Sequence, residues 1–82
     1  MVRPMFEFRK RKNFERGEYR THDGQYVTAI RVAKEFTSNR TYVLLEAEVN
    51  GFVSMFVVPW SEFDGTIRVD GKTVNKFERV VD

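Results

Sequence analysis

Apolar and polar residues alternate along most of this chain, in short runs separated by turn residues. Four of the five glycines follow an Asp or Asn: Asp23-Gly24, Asn50-Gly51, Asp64-Gly65 and Asp70-Gly71. Both members of such a step tolerate positive φ, so an Asx-Gly step between alternating runs predicts a β-hairpin. The pattern therefore predicts an all-β protein: a small antiparallel barrel or strongly curled sheet of five to seven strands, OB-like or SH3-like.

Residues 4–11 alternate, with Phe6 and Phe8 on the core side and Met5, Glu7, Arg9 and Arg11 facing out. Lys12 to Gly17 reads as a connection, and Glu18 to Thr21 as a short strand. His22-Asp23-Gly24 turns that strand into the longest run, Gln25 to Phe36. There Tyr26, Thr28, Ile30, Val32 and Phe36 share one face, and Val27, Ala29, Arg31, Ala33 and Glu35 the other. A four-residue loop, Thr37–Arg40, then sets Val32 opposite Leu45, Ile30 opposite Ala47 and Thr28 opposite Val49.

Asn50-Gly51 predicts a two-residue hairpin pairing Val49 with Phe52, Ala47 with Ser54, Leu45 with Phe56 and Val43 with Val58. On its other face Glu48 pairs with Val53, Glu46 with Met55 and Leu44 with Val57. That face is polar at the tip and apolar at the base, as in a sheet curling toward closure. Pro59 cannot donate to a ladder and marks the strand end. Trp60–Phe63 predicts one helical turn, capped by Ser61, with Trp60 and Phe63 plugging an open barrel end. Ile67 is set opposite Val74 around Asp70-Gly71. Val74, Phe77 and Val80/Val81 also fit helical spacing, but a strand that bends near Lys76 is the preferred reading of 73–81.

At 82 residues the chain is expected to be a single domain, residues 1–82. It has no cysteine, so no disulfide or thiolate metal site braces it. The core must come from an apolar fraction of 41 %, including 12 aromatic residues. The start of the chain lacks the apolar core of a secretory signal, and no run is long enough for a membrane helix. A cytoplasmic protein is expected.

The net charge of +2 hides a polarity. Residues 1–20 carry seven basic and three acidic side chains, and the remainder seven basic and nine acidic. Catalytic candidates are weak. Glu46 and Glu48 read as a solvated strand face, Glu62 and Asp64 as turn chemistry, and His22, the sole histidine, as a turn residue. An enzyme, a metal site or a cofactor is not expected.

The remaining signal is the basic segment. Arg9, Lys10, Arg11, Lys12, Arg16 and Arg20 suit phosphate neutralisation, and Phe14 and Tyr19 suit stacking on unpaired bases. Arg31 and Arg40 would extend the patch. A nucleic-acid-binding module for single-stranded DNA or RNA is the first expectation. Two structural readings compete: basic residues guard exposed sheet edges, and Phe14 and Tyr19 are ordinary core material. The alternative function is a protein-interaction or inhibitor module, of the kind small mobile elements encode. It would bind an acidic partner or form a homodimer through an edge strand or the apolar Val53/Met55 face.

Overall fold

The computed structural model describes residues 14–81. The expected first strand, 4–11, lies outside them. In order, the elements are β1 (Gly17–Thr21), β2 (Tyr26–Lys34), β3 (Thr41–Val49), β4 (Phe52–Pro59), α1 (Trp60–Phe63), β5 (Thr66–Val69), β6 (Lys72–Asn75) and β7 (Phe77–Arg79). The protein is thus nearly all β, with antiparallel ladders and one short helical turn. Five strands form one sheet in the order β4-β3-β2-β1-β7, and β5 and β6 form a separate ribbon. Among the described residues no ladder joins β4 to β7, so the large sheet has two edges.

The four Asx-Gly steps serve three different purposes. Asn50-Gly51 and Asp70-Gly71 hold positive φ at both residues, the signature of the tight I′ hairpin. The β3–β4 register is accordingly the expected one along its whole length, from Val49↔Phe52 to Val43↔Val58. Ile67↔Val74 also pairs as expected. At Asp23-Gly24 only Gly24 is left-handed, in a three-residue turn closed by Thr21 N–H to Gln25 O at 2.8 Å. The Thr21 hydroxyl bonds the Asp23 carboxylate and accepts the Gln25 N–H. That bond to Thr21 is the main reason the Asp23 carboxyl titrates below its ordinary value. Asp64-Gly65 is not a hairpin but the exit from α1. There the Gly65 N–H donates to Glu62 O, and a Cβ would lie 2.7 Å from Ser61 O.

The β2–β3 register departs from the expectation, in two steps. The four-residue loop is Phe36–Asn39, one position earlier than Thr37–Arg40. Glu35 N–H donates to Arg40 O, Asn39 N–H donates to Glu35 O, and Asn39 takes positive φ. Val32 therefore meets Val43, not Leu45. A bulge at Ile30 then leaves that residue without an opposite number, between Ala29↔Leu45 and Arg31↔Leu44. An extra residue reverses which side chains face the core, because the strand period is two. Val27 and Ala29 are buried, whereas Tyr26 and Thr28 are exposed.

The buried residues lie on one face of the sheet: Tyr19, Val27, Ala29, Val43, Leu45 and Ala47, covered by Phe63 of α1. Phe63 is the hub. Its ring lies 4.9 Å from Tyr19, 5.3 Å from Phe77, 5.7 Å from Trp60 and 6.2 Å from Phe14. Pro59, not Ser61, occupies the N-cap position, with no side-chain cap bond. The turn is held instead by ring packing and by Asp64 N–H to Trp60 O at 2.9 Å. The C-terminal segment is strand on both sides of a break at Lys76, as expected. Lys76 N–H donates to Gly65 O and its carbonyl accepts from His22, tying the ribbon to the sheet.

Candidate interaction edge

β4 leaves the Asn50-Gly51 turn as the outermost strand of the sheet. In a two-residue hairpin the residues flanking the turn exchange both main-chain bonds, and bonded and non-bonded pairs then alternate. Phe52, Ser54, Phe56 and Val58 thus bond inward to β3. Val53, Met55 and Val57 direct their N–H and C=O groups away from the sheet. Pro59 occupies the next outward position, where its missing N–H costs no ladder bond.

The side chains of this edge are unusually bare. Phe52 is 75 % exposed, Val53 67 %, Met55 52 %, Phe56 42 % and Val57 60 %. Val53, Met55 and Val57 share the outer face with Leu44, Glu46 and Glu48. Phe52 and Phe56 lie on the core face but outside the core cluster gathered under Phe63. Natural edge strands are commonly blunted by charge, inward lysines or bulges. β4 carries no charged residue at all, and only Pro59, at its end, is protective. An apolar strip wrapping both faces of a sheet edge makes this edge the candidate site.

The residues expected to bind nucleic acid fall only partly among the described ones. Arg9, Lys10, Arg11 and Lys12 lie outside the described residues. Tyr19 is buried; its hydroxyl donates to Glu15 O at 2.6 Å, and burial raises its phenol above the ordinary value. Phe14 packs against the same core. The fold brings these two rings together around Phe63 and leaves Tyr19 only 8 % exposed. Arg16 and Arg20 are exposed, but Arg20 lies opposite Glu78 of β7. Arg31 is exposed on the outer sheet face and Arg40 follows the β2–β3 loop.

A cleft of about 300 Å³ opens beside Phe63, lined by Glu15, Tyr19, Trp60, Asn75 and Arg79 among others. The chain itself supplies its cation: the Arg79 guanidinium lies 5.8 Å from the Tyr19 ring centre and 3.5 Å from Glu15. Among the described residues no cluster of His, Cys, Asp and Glu could hold a metal, and no helix is long and apolar enough to cross a membrane.

Val53 and Met55 were legible as a candidate patch from the hairpin register. Phe52, Phe56 and Val57 were not, because register alone assigned the first two to a covered face. The available signal was the uncharged run from Gly51 to Trp60, in a chain that is 32 % charged.

The described residues form a small antiparallel β protein whose β4 edge is apolar and has no strand beside it among them. No family model matches the chain, and no curated protein matches it in sequence. Its fold is similar to the crystal structure of a protein of the DUF1653 family from Bordetella bronchiseptica. The TM-score is 0.75 at 17 % identity, over 84 % of this chain and 90 % of that one. At that identity the likeness is one of fold alone.

Proposed function

We propose that this protein is an interaction module that engages a protein partner along the β4 edge. The observation that carries the reading is the uncharged strand β4, apolar on both faces and exposed over most of its length. Edge addition supplies main-chain bonds for affinity, and alternate side chains supply specificity. The module needs no catalytic group.

The nucleic-acid reading ranks second. Its basic core, residues 9–12, lies outside the described residues, and one of its two aromatic platforms is buried. A salt titration against oligonucleotides tests it. Four to six phosphate contacts give a slope of log affinity on log salt of roughly −3 to −4 for single strands.

A closed barrel of the OB or SH3-like kind is the competing account of the edge, since closure would leave no edge to bind. Comparative capture decides between them. Wild-type protein used as bait should retain a partner that the Met55→Lys variant does not. Identical capture by both baits removes the reading.

A further inference from the structure

We propose that the occupant of the β4 edge is β4 of a second copy, paired antiparallel about a two-fold axis through Met55. The inference rests on the interaction reading above and names its partner. Three features of the strand carry it.

The first is register. With Met55 opposite the partner's Met55, Val53 faces the partner's Val57 and Phe52 faces its Val58. All three outward-facing residues, Val53, Met55 and Val57, then exchange both main-chain bonds across the seam. Pro59 falls beyond the ladder. Moving the axis to Phe56 sets Pro59 opposite Val53, with a ring carbon where an N–H should donate. Moving it to Ser54 sets Val57 opposite Gly51, inside the hairpin turn.

The second is chemistry. The strand has no charge to repel its own copy. On the outer face Val53, Met55 and Val57 meet their like, and Glu46 and Glu48 stand one strand back on β3. Across the seam the two β3 strands are about 14 Å apart, beyond the screening length at physiological salt. On the core face each copy's Phe52 and Phe56 extend the apolar surface of the other. A second copy is self-complementary on both faces at once.

The third is area. The five exposed apolar residues of β4 present at most roughly 500 Å² per copy, counting every one as if it were aromatic-sized, and edge pairing covers only part of that. Two copies therefore bury no more than about 1,000 Å², the weak end of specific interfaces. The dimer should therefore dissociate on dilution.

The absence of cysteine from the 82 residues makes single-cysteine crosslinking a clean test. A bonded antiparallel pair has Cα atoms about 5.5 Å apart, within disulfide reach. Met55→Cys should crosslink to a covalent dimer under mild oxidation. Phe56→Cys and Val53→Cys, about 8 and 14 Å from their own copies, should be slower by roughly ten-fold or more. Mixing Val53→Cys with Val57→Cys should restore fast crosslinking. By light scattering, wild type should approach twice the 9.7 kDa chain mass and fall on dilution. Met55→Lys should stay at the single-chain mass. If Met55→Lys fails to fold, by circular dichroism, the crosslinking order decides alone. Fastest crosslinking at Ser54 or Phe56, a dimer that survives Met55→Lys, or wild type at single-chain mass throughout its soluble range overturns the inference. If that monomeric wild type still captures a partner that Met55→Lys loses, the interaction reading stands and only self-pairing is removed.

Discussion

The two ends of the sheet use similar residues to opposite effect. Around α1, Phe14, Tyr19, Trp60 and Phe77 enclose Phe63. Along β4, Phe52 and Phe56 belong to the same core face and stay exposed. Neither hydrophobicity nor strand periodicity distinguishes them. The difference is reach: a four-residue helical turn covers one end of a sheet whose longest strands have nine residues. A small domain without disulfides has little apolar surface to spare. On the proposed reading, the apolar surface exposed along β4 is an interface.

The largest test of this contrast is a pair of truncations. Phe63→Ala removes the ring on which the enclosed end converges and should cost about 3–5 kcal/mol, enough to unfold a marginal domain in a denaturant titration. Phe52→Ser, at the open end, should shift monomer stability by no more than about 0.5 kcal/mol. Comparable losses at the two sites would end the distinction. Next in size, Gly65→Ala places a methyl group 2.7 Å from the Ser61 carbonyl. Backbone must move there, at a cost of about 1–3 kcal/mol, read as a lowered thermal midpoint.

Tyr19→Phe sharpens the enclosed end by about 1 kcal/mol, through the lost bond to the Glu15 carbonyl. It also carries a pH signature. Burial raises the folded-state pKa of Tyr19, so its neutral hydroxyl contributes fully below the ordinary tyrosine value of about 10. That contribution is lost as pH rises through the higher folded value. Wild type should lose stability more steeply than Tyr19→Phe in that alkaline window. Parallel stability curves would show that the hydroxyl is not buried in solution. The smallest effect is expected from Met55→Lys. The lysine faces Glu46 across the strand pair, so monomer stability should change by less than about 0.5 kcal/mol while association is lost.

Much of the architecture was legible because it is local. Asn50-Gly51 and Asp70-Gly71 set their hairpin registers through the φ values that only such residues accept readily. Trp60–Phe63 and the break at Lys76 were likewise visible. The β2–β3 pairing was not. Period-two reasoning cannot register a bulge, and Ile30 reversed the faces of Tyr26–Ala29. The candidate site was half legible. Val53 and Met55 stood out beside Glu46 and Glu48, whereas Phe14 and Tyr19 fitted both a base platform and the core until Phe63 was placed beside both rings.

By itself, the sequence determined an antiparallel all-β chain, its tight turns and the position of its one helical turn. Each follows from the conformational range of single residues and from side-chain alternation. Only the tertiary structure decided which aromatics are enclosed and which strand is left at the edge. Both depend on how far α1 reaches over the sheet, a distance between segments that no local pattern records. The basic, aromatic segment that drew attention in the sequence thus yields its Tyr19 to the core, while an uncharged hairpin strand becomes the exposed edge.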